Sequence, residues 1–451
     1  MRLSKTISLA GLLTICVWAA QAQAPRHISL AEAIDLSLKA SKQLRVSDAQ
    51  LLQAQAAYTE AKDRRLPDVS ITGSYLRLAQ PDMELKLKLK NSGSAGSETE
   101  SSAAPAVTQA AYALANASLP LFTGFKIRSG IESAKYLATA SRLDGEKDRE
   151  DVIQNTVAAY SNLYKSAAAV RLVQEALQQS KARVRELGNL EKNGLLARND
   201  LLKAQLQQSN VELSLLDAEA NLHLTLENMS LMLGLPTGTI IEADTTFALN
   251  ATDRSLADWQ LEALQHRKDA ASLGYRAKAA EAGIRTAKGD YYPSVALTAG
   301  YIGAYIENVV TIRDAVNAGV GLSYTPSSLW KAGTKVAQAK SRLAEVQANQ
   351  GLLEDAIRLQ TTQAYEQFLL SKKKIDVYAV AVEQSNENYR IVRNKYLNSL
   401  ATTTDLLDAD VAQLQAKLNY AFAKADAAVS YEKLLQTTGL LSSEYVAGLS
   451  K

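Results

Sequence analysis

The chain has 451 residues and a mass of 48.7 kDa, enough for two or three ordinary domains or one very extended one. Hydrophobic residues at 47% and charged residues at 22% exclude both a disordered chain and a bundle of membrane-spanning helices. The formal net charge of +3 falls to +1 once Arg2 and Lys5 leave with a leader, which removes any electrostatic reason to expect nucleic acid. Gly 22 and Pro 8 together make up about 7% of the chain against a usual ~12%, so turns are few and elements long.

The N-terminus reads as an export signal. Met1 to Lys5 is a basic segment, Ile7 to Ala20 is apolar, and Ala20-Gln21-Ala22 offers the small-x-small cleavage pattern. Cleavage before Gln23 is expected, giving a signal peptide of residues 1–22, because the alternative after Ala24 places Pro25 next to the cut. The only cysteine, Cys16, lies in this leader, and Ile15 stands where a lipoprotein signal wants a small residue. The mature chain therefore has no disulfide and no thiolate nucleophile or ligand. No later run of ~18 apolar residues suits a transmembrane helix, but a barrel strand needs only ~10 residues of alternation.

The eight prolines leave long stretches uninterrupted, notably 121–235 and 327–451. In these, apolar residues recur at three- and four-residue steps: Ile153, Val157, Tyr160, Tyr164, Ala167; Tyr378, Val382, Ser385, Tyr389, Val392, Tyr396; and Leu407, Val411, Leu414, Leu418, Ala421, Ala425, Ala428. An average of 3.5 is the seam of a coiled coil. Breaks at Asn193-Gly194-Leu195 and Asn398-Ser399-Leu400 turn each stretch into a helical hairpin, with expected arms of ~60 residues, or ~90 Å.

A shift of 205 residues superposes 118–235 on 323–440 without a gap, matching Ala159-Tyr160 to Ala364-Tyr365 and Asp200-Leu201-Leu202 to Asp405-Leu406-Leu407. Upstream the shift is 226, with Pro67 on Pro293 and Tyr75 on Tyr301. The chain is a tandem duplication. The first repeat is expected over 23–235 and the second over 259–440, each reading helix, two strands and hairpin. A small β-containing collar at 236–258 separates them, and 441–451 forms a tail.

The strands are expected around 67–78, 107–119, 293–306 and 314–326. Val69, Ile71, Gly73 and Tyr75 alternate with Ser70, Thr72 and Ser74, and Val316, Ala318, Val320 and Leu322 alternate with Asn317, Gly319 and Gly321. Such alternation suits a lipid-facing barrel strand or a soluble sheet with one wet face. The export signal and the lack of a globular core favour the barrel. Four strands cannot close one, and open edges do not survive in lipid. Copies of the chain must complete it, as a dimer of 8 strands or a trimer of 12.

These features together resemble the TolC-like outer-membrane efflux proteins over essentially the whole mature chain. The marks are the duplicated layout, the strand-to-helix passage Leu119-Pro120-Leu121-Phe122-Thr123-Gly124, the segment Glu262-Ala263-Leu264-Gln265-His266-Arg267-Lys268-Asp269, and the two hairpin turns. Lys268 stands where the family usually has proline. The resemblance implies a mainly α fold of tandem-duplicated long helical hairpins plus four transmembrane strands per chain. It further implies a homotrimer with a 12-stranded barrel and a helical tunnel in the outer membrane of a Gram-negative bacterium. The partners implied are a periplasmic adaptor and an inner-membrane pump of RND or ABC type. The cargo class, whether drug, metal or protein of type I secretion, belongs to the pump.

The resemblance also assigns sites. Asp405 and Asp408, one turn apart on a helix face, match acidic rings of the periplasmic aperture, and Tyr396 matches an aromatic that braces the closed state. The family's basic gate partner falls on Ala401, so the lock must differ, with the hydroxyls of Thr402 to Thr404 as candidates. Gly194, Leu195, Asp200, Ser399 and Leu400 mark the tips expected to dock the adaptor, and Pro120, Phe122 and Gly124 the passage from barrel to tunnel. The alternating Leu85-Lys86-Leu87-Lys88-Leu89-Lys90 strip is read either as a solvated strand extension or as a contact to outer-membrane lipid or lipopolysaccharide. His27, His223 and His266 stand at no metal-ligand spacing, and no nucleophile elbow, P-loop or dinucleotide fingerprint occurs. No enzyme, cofactor, metal or nucleic-acid partner is expected. A coiled-coil surface protein without a pore and a passive porin are the alternatives; the first needs no amphipathic strands and the second no long hairpins.

Overall fold

The computed structural model describes residues 26–79, 107–244 and 254–441. The leader, the Leu85–Lys90 strip, the loop around it and the tail after Leu441 lie outside the described residues. In chain order the elements are β1 (Arg26–Ile28), α1 (Leu30–Ala40), α2 (Lys42–Asp63), β2 (Asp68–Arg77) and β3 (Gln109–Phe122). There follow α3 (Lys126–Lys192), α4 (Arg198–Leu233), β4 (Ile241–Ala243), α5 (Leu256–His266) and α6 (Lys268–Lys288). The chain continues with β5 (Ser294–Ile306), β6 (Val310–Ser323), α7 (Ser328–Leu397) and α8 (Thr403–Thr437).

The hairpin arms are unequal. α3 and α7 have 67 and 70 residues, about 100 Å of helix each. Their partners α4 and α8 stop after 36 and 35 residues, not the ~60 expected from the proline-free stretches. The stop after α4 is Gly234, left-handed at φ 68°, where a Cβ would come within 2.8 Å of the Ala40 Cβ. Each repeat also opens with two helices where one was expected, divided at Ser41 and at Arg267.

The chain divides into two compact units. One, made of residues up to 49, 143–271 and from 352 onward, holds the hairpins and the collar. Its core joins Ile34, Ile153, Val157, Trp259 and Leu434 with Phe368 against Tyr431, ring centres 5.4 Å apart. A second cluster holds Tyr160, Leu163, Met229, Leu233, Ile28 and Ile241. Here β1 and β4 pair in parallel, and the buried Tyr160 hydroxyl donates to the Ile28 carbonyl at 2.9 Å and accepts from the Asp244 amide at 2.6 Å. The buried residues of α8 include Leu406, Ala409, Ala416, Ala423, Ala425, Ala427 and Leu434; of the expected seam Ala425 is among them, whereas Val411 is 47% exposed. Alanine sits equally well in a seam or beside it, so its pattern fixes the phase poorly.

The other unit, residues 50–142 and 272–351, holds the sheet. Its order is β2-β3-β5-β6, all antiparallel, with β2 and β6 as open edges. Residues opposite each other share a face, so register assigns the two sides. One face stacks Ile71, Ala115, Tyr301 and Val316 at one level, Val69, Ala117, Ala299 and Ala318 at the next, then Leu119, Leu297 and Val320. The opposite face stacks Ser70, Asn116, Gly300 and Asn317, then Asp68, Ser118, Thr298 and Gly319. Gly300 leaves space there: a Cβ would meet the Asn317 carboxamide, which would have to turn aside, and lie 3.3 Å from that of Asn116. In the apolar face Val69, Ile71, Val316 and Val320 are all well exposed in the single chain. A soluble sheet would bury such a face; a bilayer solvates it.

Below the sheet in this unit, α6 runs against the start of α3. The Ser133 hydroxyl donates to the Ala279 carbonyl at 3.0 Å, and Arg285 pairs with Glu132 at 2.6 Å.

Candidate functional site

The residues singled out in the sequence fall at two places, one in each unit. The first is the tip of the hairpins. α3 ends through Gly194 at φ 70° and α7 through Ser399 at φ 57°, both left-handed turns. They leave Leu195 at 74% and Leu400 at 76% exposure. Under the turns, Leu187, Leu201 and Ala204 form a small core against which Tyr396 and Leu407 pack, so Tyr396 ties the second hairpin to the first.

α8 starts with a reciprocal cap. The Thr402 hydroxyl accepts from the Asp405 amide at 3.2 Å, and the Asp405 carboxylate accepts from the Thr402 amide and hydroxyl at 2.8 and 2.7 Å. The two Thr402 hydrogen bonds, backbone then side chain, hold the Asp405 carboxyl below the usual carboxylate range, so it stays charged. Asp405 and Asp408 are both exposed, whereas Leu406 and Ala409 beside them on α8 are buried.

Thr402 is spent on its own helix, and Thr403 reaches the Tyr396 hydroxyl at 3.5 Å. Thr404 accepts from Lys203 of the other hairpin at 3.4 Å, and the same ammonium lies 3.4 Å from Asp200. A stronger tie lies deeper. Arg183 of α3, 9% exposed, donates to the Tyr389 hydroxyl of α7 at 2.8 Å and pairs with Asp410 of α8 at 3.3 Å. Burial pushes the Asp410 carboxyl up, and the nearby Arg183 and Arg393 cations only partly offset it. Sequence reasoning missed Arg183, Lys203 and Asp410. The available signal was a cation inside a helical stripe whose neighbours Leu177 and Leu187 are buried.

The second place is the passage out of the sheet. Pro120 and Phe122 lie within β3, which runs three residues past Leu119 and carries a bulge between them. Gly124 at φ 64° then turns the chain, and a Cβ there would collide with the Gly289 carbonyl. The two glycines bring the start of α3 backbone-to-backbone with the end of α6. Phe125, also left-handed at φ 65°, is strained by about 1–2 kcal/mol. Its ring meets those of Phe122 at 5.3 Å and Tyr292 at 6.1 Å, edge to face, which offsets the strain. Asp290 binds both Lys126 and Lys335, the latter at 2.7 Å, and these cations hold its carboxyl below the usual range.

One unit carries a four-stranded antiparallel sheet with an exposed apolar face and two open edges, and the other carries long helical hairpins with a charged tip, features of a membrane channel protein. The chain belongs to the outer membrane efflux protein family, whose model matches residues 33–235 and 259–440. It is 20% identical over 335 residues to the outer membrane efflux protein BepC of Brucella suis biovar 1 (strain 1330), covering 72% of this chain and 71% of that one. Among solved structures it is similar to the outer membrane protein VceC of Vibrio cholerae, with TM-score 0.74, 20% identity, and coverage of 91% of this chain and 96% of that one. It is also similar to the CmeC outer membrane channel of Campylobacter jejuni, with TM-score 0.77, 18% identity, and coverage of 94% and 89%. Both likenesses establish the fold. The protein is an efflux channel of the Gram-negative outer membrane, and its family comprises channels, not enzymes.

Proposed function

We propose that three copies of the chain close a twelve-stranded barrel and a helical tunnel that forms the exit duct of a tripartite efflux system. The duct receives cargo from an inner-membrane pump through a periplasmic adaptor. The observation that carries this reading is the two-faced sheet with both edges unpaired, which in lipid requires neighbours of its own kind. The proposed domains are a signal peptide over 1–22, two repeats over 23–235 and 259–440, and a collar between them.

Asp405 and Asp408 form two stacked carboxylate rings at the tunnel mouth in this reading, with Tyr396 bracing it. Three like charges per ring, unscreened at close range, concentrate cations. Asp405→Asn with Asp408→Asn is expected to lower the cation preference of the closed channel and its block by trivalent ions in planar-bilayer recordings. Retention of both properties would assign the aspartates to helix capping alone.

The exposed Leu195 and Leu400, beside Gly194 and Ser399, have no partner within the tip and are proposed to receive the adaptor's helical tips. Leu195→Asp with Leu400→Asp is expected to leave the assembled oligomer intact and abolish transport of a pump substrate. Normal drug resistance in cells carrying only this variant sinks the docking role.

A further inference from the structure

The passage holds a feature that the duct does not explain. A cleft of about 480 Å³ opens there, lined by Arg65 and Arg128 together with Leu121, Phe122 and Phe125. Leu121 is 58% and Phe125 54% exposed. Phe122 stands on the apolar face of the sheet, opposite Val295, and the edge-to-face contacts with Phe125 and Tyr292 carry that face past the strand ends. Tyr324 and Trp330, also exposed, occupy the corresponding end of β6 and the start of α7. Aromatics of this kind at the rim of a lipid-facing band mark the headgroup level of a bilayer.

Among the described residues neither Arg65 nor Arg128 forms an ion pair; Glu60 pairs with Arg64, Asp290 with Lys126 and Lys335, and Glu132 with Arg285 while also feeling the charge of Arg128. Two guanidinium groups on one cleft repel each other until an anion sits between them. The duplication shows that their adjacency is built. By the shifts of 226 and 205 residues, Arg65 and Arg128 correspond to Tyr291 and Gly333. In the second half the Tyr291 hydroxyl lies 3.7 Å from where a Cβ on Gly333 would be. The same two positions are neighbours there too, filled by a phenol over a bare backbone. Only the first half replaces that packing with a pair of cations.

We propose that Arg65 and Arg128 bind the phosphate of an anionic phospholipid headgroup at the inner surface of the outer membrane, with the acyl chains running up the Phe122 and Val295 side of the sheet. Guanidinium forks suit phosphate oxygens, and basic pockets at this depth select anionic lipids. The proposal rests on the membrane reading of the sheet. It gives one site per chain, on the first half only.

Native mass spectrometry of the detergent-extracted protein, titrated with phosphatidylglycerol or phosphatidylethanolamine, tests it. The wild type is expected to retain phosphatidylglycerol preferentially, one per chain. Arg65→Gln with Arg128→Gln should weaken that binding by about thirtyfold, two interfacial cations being lost. Arg65→Tyr with Arg128→Gly, which copies the packing of the second half, should do the same and guards against misfolding. Unchanged phosphatidylglycerol binding in either assembled variant overturns the site. Equal retention of phosphatidylethanolamine, or displacement by millimolar inorganic phosphate, also overturns it as a lipid site. Failure of wild-type and variant chains alike to enter membranes would instead count against the membrane reading.

Discussion

Arg183→Leu is expected to loosen the closed tip and raise the resting conductance of the channel. The guanidinium joins α3 to both α7 and α8, and its side chain and that of Asp410 are only 10% and 23% exposed. Removing one member of a buried pair leaves the other charge uncompensated, at a cost of about 3 kcal/mol or more. That cost is avoided if the hairpins part and Asp410 reaches water, so the open state gains. Asp410→Leu added to Arg183→Leu should recover part of the loss, because no stranded charge remains. Acid acts in the opposite direction. The Asp410 carboxyl is raised above its ordinary value by burial, so it takes up a proton at a pH where exposed carboxylates are still charged. The sign follows from linkage: the buried arrangement binds the proton more tightly than an opened one in which Asp410 reaches water, so protonation favours the packed hairpins, and that gain is lost as pH rises. Wild-type conductance should therefore fall on mild acidification, and Asp410→Asn should remove that dependence. A pH-independent wild type, or an Arg183→Leu channel as closed as wild type, would count against the tie.

Ile71→Arg should prevent assembly, whereas Thr72→Arg, one residue along, should not. Ile71 is 81% exposed in the single chain and shares its level with Ala115, Tyr301 and Val316, near the middle of β5 and β6. A lipid-facing arginine at mid-depth costs about 2–4 kcal/mol, hence about 6–12 kcal/mol over three copies. Thr72 lies on the opposite face, beside Leu114 and Ile302, where water is available in a closed barrel. Yield of detergent-stable trimer from outer membranes is the measurement. Equal yields from the two variants would place both residues in one environment and refute the two-sided membrane sheet.

Much of this architecture was legible in the residues because two periodicities carry it. Alternation in Val69–Tyr75 and Val316–Leu322 marked the faces that register later paired, and Gly194 and Ser399 stood at the turns. What escaped had no local signature. The three-residue strands β1 and β4 are too short to show a period, and they pair across more than 200 residues of sequence. Arg183 and Asp410 are 227 positions apart, and each alone is an ordinary charge on an amphipathic helix. The short α4 was legible too, because the turn at Gly194 lies well past the middle of the 121–235 stretch and Pro236 closely follows Gly234. Asp405 and Asp408 were visible as a pair; that Asp405 spends its carboxylate on Thr402 depends on backbone geometry at the helix start.

The polar face of the sheet carries a consequence for traffic. Among the described residues that the register pairs on this face, the side chains from the level of Ser70 outward are hydroxyls, carboxamides, glycines and small or apolar groups, and the one carboxylate is Asp68, at the helix end. A bore lined in this way, in the proposed barrel, would attract or repel a cargo little by its charge, and Gly300 leaves room for the carboxamides of Asn116 and Asn317 beside it. Cations, anions and zwitterions would travel its length on equal terms. In the proposed duct, discrimination would then be concentrated at the hairpin tips, a selective entrance serving an indifferent corridor. Resistance or susceptibility to a given compound would thus change with substitutions at the entrance and hardly at all with those in the corridor.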